Sequence, residues 1–272
     1  MSASQIYQLG FIGAGKLAGS VIRGLMRANF CPPNQIIASE PNEKTRTALQ
    51  KETDVSVTAE NTEVAEKAEA IFVGVKPGMV IPALNELKEK LQNKSVISLA
   101  GGVRISSMEK IPNVRFMRAL TNTPSAICRA ATGFSRGSRS TNEDVDLVKR
   151  IFSAIGVVLE IDESQVDVVT ALSGSGPAFI YTVIEALAAG GTKLGLANDV
   201  ATELAIQTAR GAAEIMRETK MSPEELRRMV MTPGGTTAAG LAVMERLGTS
   251  KSLIAAVEAA TERGQEMANE NT

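Results

Sequence analysis

The segment that most restricts the fold is FIGAGKLA, Phe11 to Ala18, near the start of the chain. It follows an apolar run and precedes a helical pattern, so it predicts a strand, a tight turn and a helix. Its residues Gly13, Gly15 and Ala18 form the pattern G-x-G-x-x-A, in which the glycines permit the turn and the approach of a pyrophosphate, and the small third residue permits helix packing. The segment therefore predicts dinucleotide binding, with an incidental tight turn as the alternative.

Strand and helix patterns alternate along the N-terminal part of the chain. Such alternation is typical of a doubly wound, mainly parallel sheet, so we expect an α/β Rossmann domain over residues 1–162. The predicted strands are residues 6–12, 35–39, 55–58, 70–75, 95–99 and 114–119, and the predicted helices between them include 45–51, 62–67, 82–91 and 106–110.

The pattern changes near Asp162. Beyond it the sequence contains no convincing strand, only long alanine-rich helical patterns at residues 166–189, 200–218 and 253–267. We therefore expect an all-α domain over residues 163–272. Its many small apolar residues suit helices packed closely on several sides, so we expect a second copy of the chain as a partner.

Three predicted strand ends carry residues suited to nucleotide contacts. In open α/β sheets, ligands bind at the carboxyl ends of the strands, and we expect a nicotinamide along this rim. An exposed Lys-Pro turn is the alternative for the first of the three segments. The rim residues are Val75, Lys76 and Pro77 after the fourth strand, Ala100 and Gly101 after the fifth, and Asn122 after the sixth.

Glu40 follows the second predicted strand. A carboxylate at this place accepts hydrogen bonds from an adenosine ribose, and it repels a 2′-phosphate. It therefore favours NADH over NADPH, unless Lys44 or Arg46 compensates its charge. A solvated glutamate in a loop is the alternative.

A proline and two glycines precede the last helical patterns, in the segment Thr232 to Gly235. Thr236 and Thr237 then open a helix. Free N–H groups at a helix N-terminus, together with the positive end of the helix dipole, can hold a small carboxylate without an arginine. An ordinary capped helix start is the alternative.

The segment SGSGPA, Ser173 to Ala178, interrupts an apolar helical pattern. Relative to alanine, proline costs a helix about 3 kcal/mol and glycine about 1 kcal/mol. Close approach of a ligand or of a partner helix would offset this cost, whereas a simple break between two helices is the alternative. The chain contains no histidine, so a serine hydrolase triad around Ser175 is excluded.

Charge and composition exclude several classes of protein. The chain has 29 basic and 30 acidic residues, which offers no electrostatic case for binding nucleic acid or an anionic membrane. Two cysteines without a histidine rule out His/Cys zinc sites, and we predict no metal. The N-terminus lacks the pattern of a secretory signal, and the uncharged run 168–184 is short and broken, so we expect a cytoplasmic protein without a membrane span.

Five motifs in this order, FIGAGKLA, VKP, TNTP, ALSGSGPA and TPGGTTAAG, resemble those of the pyrroline-5-carboxylate reductases along essentially the whole chain. The last two are specific to that family, whereas the first is generic. The resemblance implies the last step of proline biosynthesis, reduction of 1-pyrroline-5-carboxylate to L-proline by NADPH or NADH. It also implies a helical dimerisation domain, and homodimers that assemble further, commonly into decamers.

The resemblance also implies roles for individual residues. Thr237 is the catalytic candidate, because its hydroxyl would bind the ring nitrogen of the substrate. Met229 stands where some members carry a polar residue that reaches the nucleotide, so the preference between coenzymes is left open. The substrate set is Glu163, Ser175, Thr232, Gly235, Thr236 and Thr237. For the cofactor, the resemblance implies the loop Gly13, Ala14, Gly15, Lys16, Leu17 and Ala18, then Asn61 near the adenosine, and Val75, Lys76, Pro77, Ala100 and Gly101 of the rim. Glu40 and Asn122 complete the cofactor set from their places at strand ends, and Glu40 departs from the family where an NADPH-preferring member carries serine.

Two other functions match parts of the pattern. A β-hydroxyacid dehydrogenase also joins a Rossmann domain to a helical one, but it uses a lysine a few residues after a glycine-rich segment. Here the first lysine after SGSGPA is Lys193, well beyond that spacing. A nucleotide-binding protein that keeps the fold without turnover is the other alternative, and it would not consume reduced coenzyme.

Overall fold

The computed structural model of the chain describes residues 6–271. It contains two compact units, one formed by the residues up to Ser175 together with those from Glu258 on, and the other by Gly176–Val257. The change from strands to helices falls where the sequence predicts it, since the last described strand ends at Glu160. The domain boundary between residues 162 and 163 stays a prediction.

The first unit contains an eight-stranded sheet among the described residues. Its strands are β1 (Tyr7–Ile12), β2 (Ile36–Ser39), β3 (Ser56–Thr58), β4 (Ala68–Val73), β5 (Ser95–Ser98), β6 (Arg115–Leu120), β7 (Ala130–Arg136) and β8 (Gly156–Glu160). The strand order is β3-β2-β1-β4-β5-β6-β7-β8, in which β6 and β7 pair antiparallel and the other neighbours pair in parallel. This arrangement confirms the predicted α/β, mainly parallel sheet.

Helices cover the sheet on both faces, as the βαβ connections of a parallel sheet require. Alternate residues of β4 point to opposite faces, so Ala70 and Phe72 belong to one buried cluster and Ile71 and Val73 to the other. In the first cluster the ring of Phe72 stacks on Phe11 at 4.8 Å. The helices of this region are α1 (Lys16–Arg27), α2 (Glu43–Thr53), α3 (Asn61–Lys67), α4 (Pro77–Leu87), α5 (Ile105–Met108), α6 (Asn142–Ile155) and α7 (Val166–Val169).

The structure corrects several predicted elements. Strand β4 ends at Val73, so Val75 to Pro77 lie just beyond it, and Pro77 is the first residue of α4. The predicted start of that helix at Pro82 is wrong, because Pro82 lies inside it. The sequence patterns did not predict β7, α6 or β8, which complete the sheet beyond β6.

The helix that follows Asp162 continues through SGSGPA, as the helical pattern over residues 166–189 predicts, so the alternative of a simple break between two helices is wrong. Thr170–Gly174 form a π-helical segment, and the N–H of Ser175 donates to the carbonyl oxygen of Thr170 (3.0 Å). This wider turn carries the chain directly into α8 (Gly176–Lys193). By length and composition alone, the helical stretch Glu163–Lys193 could cross a membrane, which is weak evidence for a span when a single helix meets the test.

Every regular element among the described residues of the second unit is a helix. It contains α8, α9 (Asn198–Thr219), α10 (Pro223–Val230), α11 (Thr236–Arg246) and the start of α12 (Thr249–Glu270). Its buried cluster consists of small residues, Ala188, Ala201 and Ala205, packed with Ile184. Large apolar side chains are exposed on the same helices, including Ile180, Leu187 and Leu204. Apolar exposure of this extent is typical of a surface that another protein copy covers.

A buried ion pair joins strand β6 to helix α6. Arg115 donates from Nε and Nη2 to the two carboxylate oxygens of Asp144 (2.7 and 3.1 Å), and Asp144 also accepts the N–H of Thr141 in the capping box of the helix. Burial raises the pKa of Asp144, but the hydrogen bonds from Arg115 and Thr141 outweigh it and hold the pKa below its ordinary value. The carboxylate is therefore stabilised in its charged form.

The substitution Asp144→Asn should lower the free energy of unfolding at neutral pH by about 2 kcal/mol. This is less than for a fully buried pair, because the Arg115 side chain is 31% exposed. Since the folded-state pKa is lowered, the contribution is present above the unfolded pKa near about 4 and disappears as the pH falls through the folded pKa. Urea unfolding of both proteins across this range checks it, and a difference that stays constant down to low pH would contradict the assignment.

Candidate active site

The turn after β1 is held against the two neighbouring strands. The N–H groups of Gly13 and Ala14 both donate to the carbonyl oxygen of Ser39 (3.1 and 2.8 Å). Gly13 has φ +82°, and a Cβ there would lie 2.6 Å from Cγ1 of Val75. Only glycine can adopt this backbone conformation and also fit the space at this position.

The other two positions of the fingerprint differ from Gly13 in their surroundings. Gly15 is the N-cap of α1, and a Cβ there would meet no neighbouring heavy atom within 4 Å. The backbone N–H groups at the start of α1 can therefore be approached by a pyrophosphate, which is the use of this glycine in dinucleotide sites. Ala18 lies against Gly74, where an added Cβ would be only 2.8 Å from the Ala18 methyl. The small pair brings α1 close to the end of β4.

Polar groups gather at the end of β2, where an adenosine ribose would bind. Ser39 Oγ donates to Asn61 Oδ1 (2.7 Å), and Glu40 accepts the N–H of Asn42 with its carboxylate (3.0 Å). Arg46 Nη1 donates to the carbonyl oxygens of Glu40 and Pro41 (2.7 and 3.3 Å). The guanidinium of Arg46 therefore lies beside the backbone of Glu40, the acidic residue that favours NADH. Its positive charge reduces the repulsion between the Glu40 carboxylate and a 2′-phosphate.

The coenzyme rim meets the helix that begins after Asp162. Gly101 follows β5 and faces Thr170. A Cβ added at Gly101 would lie 3.3 Å from Cγ2 of Thr170. Asn122, after β6, donates from Nδ2 to the carbonyl oxygen of Ser173 (3.0 Å) and accepts the N–H of Ala131 (3.2 Å). Both ends of the Asn122 amide thus bind protein, and its contact with a coenzyme stays a prediction.

The end of α12 also contacts the rim. Asn271 Nδ2 donates to the carbonyl oxygen of Gly102 (3.1 Å). Gly102 has φ +66°, and a Cβ there would lie 2.7 Å from Cβ of Met267. The last described turn of the chain therefore packs directly on the loop that follows β5.

Glu163 and Arg118 form an ion pair in the same region. Arg118 lies within β6 and is fully buried, and its Nη1 donates to Glu163 Oε1 (2.9 Å). The same oxygen accepts the N–H of Ile105 (3.1 Å), and Glu163 Oε2 accepts from Ser135 Oγ (2.5 Å). Glu163 was predicted to contact substrate, but its carboxylate is bonded to three protein donors.

The sequence patterns did not identify Arg118 as a functional residue. The signal for it is a basic residue with apolar neighbours on both sides inside β6, Arg115–Leu120. Removing one partner of a buried ion pair costs about 3–5 kcal/mol, because it leaves an uncompensated charge. A fully buried arginine at this place therefore requires Glu163 or an equivalent carboxylate.

The second unit contains the predicted carboxylate-binding loop. Helix α11 begins at Thr236 after the N-cap Gly235, and among the described residues no side chain caps it. Gly234 has φ +74°, and the N–H of Gly235 donates to the carbonyl oxygen of Thr232 (3.0 Å). The loop thus leads into a helix whose first N–H groups have no side-chain acceptor, as an anion site requires.

Comparison with known proteins agrees with these features. The family model described as pyrroline-5-carboxylate reductase dimerisation matches residues 163–267, and one described as NADP oxidoreductase coenzyme F420-dependent matches residues 8–102. The chain is 39% identical over 266 residues to pyrroline-5-carboxylate reductase of Arabidopsis thaliana, with 97% of this chain and 96% of the relative covered. The chain belongs to the pyrroline-5-carboxylate reductase family.

Two further relatives show how far the likeness to this family extends. Pyrroline-5-carboxylate reductase 2 of Homo sapiens is 38% identical over 267 residues, with 95% of this chain and 83% of the relative covered. The crystal structure of Plasmodium falciparum pyrroline carboxylate reductase with NADP bound superposes with a TM-score of 0.89 at 29% identity, with 98% of this chain and 100% of that chain covered. The predicted Rossmann and helical regions and the NAD(P)H-dependent oxidoreductase class are confirmed.

The substitution Gly13→Ala should weaken binding of NADPH about tenfold or more, because a left-handed non-glycine residue costs about 1–3 kcal/mol and its Cβ would displace Val75. Gly19→Ala in α1 is the control, since its nearest contact is the movable end of Arg23 at 3.0 Å. Titration of both variants with NADPH measures the effect. Equal dissociation constants for the two variants would remove Gly13 from the coenzyme site.

Proposed function

We propose that this chain reduces 1-pyrroline-5-carboxylate to L-proline with NADPH or NADH, as the last step of proline biosynthesis. The observation that carries the proposal is the N-terminus of α11 at Thr236, which no described side chain caps and which lies inside the region matched by the family's dimerisation model. Such a terminus binds a small carboxylate. The relatives named above carry the same activity in their names.

The coenzyme would be held by residues of the first unit. Gly13 to Ala18 would bind the pyrophosphate at the start of α1. Glu40 and Asn61 would lie near the adenosine ribose, with Arg46 able to meet a 2′-phosphate. The segment Val75 to Pro77 and the residues Ala100 and Gly101 would border the nicotinamide, and Asn122 stays a prediction for this region. Ser175 stays a prediction for the substrate site.

The substrate is a five-membered cyclic imine that carries a carboxylate. Its imine carbon accepts a hydride more easily when the ring nitrogen is protonated, and the reduced nicotinamide supplies that hydride. The N–H groups of Thr236 and Thr237 would bind the carboxylate, with Thr232 and Gly235 shaping the loop before them. The Thr237 hydroxyl would bind the ring nitrogen, so this residue orients the imine and does not itself supply the proton.

Assembly and location are part of the proposal. The dimerisation region and the exposed apolar side chains of the second unit support a homodimer. We propose a higher assembly of such dimers, as in a decamer, and a cytoplasmic location. The near balance of 29 basic and 30 acidic residues supports a protein that binds neither nucleic acid nor an anionic membrane. Light scattering of the purified protein distinguishes a decamer from a dimer, and cell fractionation tests the location.

The purified protein should consume reduced coenzyme when 1-pyrroline-5-carboxylate is added and should form proline in equal amount. Absorbance of the reduced nicotinamide follows the reaction, and amino-acid analysis identifies the product. The rates with NADH and NADPH, measured side by side, determine how Glu40 and Arg46 together set the preference. Coenzyme binding without turnover in either case would favour the nucleotide-binding alternative.

The substitution Thr237→Ala should lower kcat/KM for the imine about tenfold to a hundredfold, since a hydrogen bond to a charged group contributes about 1.5–3 kcal/mol. Thr237→Ser is the matched control, because it keeps the hydroxyl and should keep most of the activity. Steady-state kinetics at saturating NADPH measure both variants. An unchanged kcat/KM in the alanine variant would exclude Thr237 from the mechanism.

A further inference from the structure

The ion pair of Arg118 and Glu163 reaches both ends of one loop, Ala100 to Ile105, which connects β5 to α5. Arg118 Nη2 donates to the carbonyl oxygen of Ala100 (3.4 Å) at the start of this loop. Glu163 Oε1 accepts the N–H of Ile105 (3.1 Å) at its end. Because Arg118 also donates to Glu163 (2.9 Å), the two loop ends are joined through a single pair of side chains.

The helix that begins at Glu163 follows the same loop along its length. Glu163, Asp167 and Thr170 are spaced by four and then three residues, which places them on one face of a helix. Asp167, with a side chain only 3% exposed, forms an ion pair with Arg104 (Oδ2 to Nη2, 2.8 Å). Thr170 lies against Gly101, since a Cβ added at Gly101 would be 3.3 Å from Cγ2 of Thr170. Three successive positions of one helix face thus contact the loop.

Glu163 is needed beside Arg118 for its negative charge more than for its shape. Arg118 is fully buried, and its Nε has no hydrogen-bond partner in the described part of the chain. Glu163 is the one acidic side chain bonded to the Arg118 guanidinium there. A neutral residue of the same shape at position 163 would leave a buried positive charge next to the carbonyl group of Ala100, and the loop would have to move to solvate it.

We infer that Glu163 and Arg118 are positioning residues that set the loop Ala100 to Ile105, and with it the nicotinamide side of the coenzyme rim. Glu163 acts on the reaction through this loop and does not contact the imine. The inference rests on the proposed function, since Ala100 and Gly101 border the nicotinamide only if the coenzyme binds as proposed.

The test compares Glu163→Gln and Arg118→Met with the unchanged protein by two measurements. NADPH titration followed by nicotinamide fluorescence gives the coenzyme dissociation constant without turnover, and steady-state kinetics give kcat and both KM values. Each variant should weaken NADPH binding about tenfold or more and lower kcat, as expected when a misplaced loop shifts the reacting groups. The KM for 1-pyrroline-5-carboxylate at saturating NADPH should change little.

Arg115→Met is the matched control. Arg115 lies on the same strand, three residues before Arg118, and also pairs with a buried carboxylate, that of Asp144. Within the described residues, its side chain bonds to Asn93 and Asp144 and not to the loop Ala100 to Ile105. This variant should lose thermal stability but keep the NADPH dissociation constant of the unchanged protein.

Three results would overturn the inference. One is a Glu163→Gln variant with a raised KM for the imine and an unchanged NADPH dissociation constant, which would make Glu163 a substrate contact. Another is a loss of thermal stability alone, as in the control. If Arg118→Met does not fold, Ser135→Ala replaces it, because it removes only the donor to Glu163 Oε2 and should weaken NADPH binding in the same direction. An unchanged NADPH dissociation constant in both Ser135→Ala and Glu163→Gln would also overturn it.

Failure of the unchanged protein to reduce the imine would reject the proposed function and leave the NADPH titrations valid.

Discussion

Backbone hydrogen bonds that continue past the ends of the parallel strands build the coenzyme rim. The N–H of Gly74 donates to Ile12 and that of Leu99 to Val73, so each loop starts from a position set by the neighbouring strand. The turn after β1 is held in the same way by the carbonyl oxygen of Ser39. Loops placed like this share the rigidity of the sheet, which is what a site for a reactive cofactor needs.

Two arginines of strand β6 form ion pairs with different roles. At the start of the strand, Arg115 binds a capping residue of α6 and attaches that helix to the sheet. Within the strand, Arg118 joins a loop to the helix that follows Asp162. One strand therefore carries a stabilising ion pair and a second ion pair beside the coenzyme rim, and the two are separated by only two residues in sequence.

Much of the fold could be predicted from local patterns. The fingerprint around Gly13, the alternation of the first six strands and the helical opening at Thr236 are short-range signals, and each lies where it was expected. Strand β7 was missed because it follows a reversal of direction after β6, and an antiparallel neighbour has no signal in the alternation pattern. The π-helical segment was missed because propensity counts Gly174 and Pro177 as helix breakers and does not anticipate a wider turn.

The candidate site could be predicted only where its residues are neighbours in the chain. The partners of Glu163 are 45, 58 and 28 residues away from it, and no spacing rule connects them. The resemblance to the family suggested a substrate contact, which stays a prediction, whereas the bonds that the structure shows are to protein. Thr236 and Thr237 required no such distant partners, since a helix start is defined by its own few residues.

The contact of Met267 and Asn271 with Gly102 bears on how the protein is made. The two interacting segments are separated by 169 residues, so the loop after β5 is synthesised long before the turn that packs on it. At synthesis rates of about 5–20 residues per second, that interval lasts roughly 10–30 s. The loop after β5 thus spends this time without its packing partner, and it gains these contacts only after α12 has been translated.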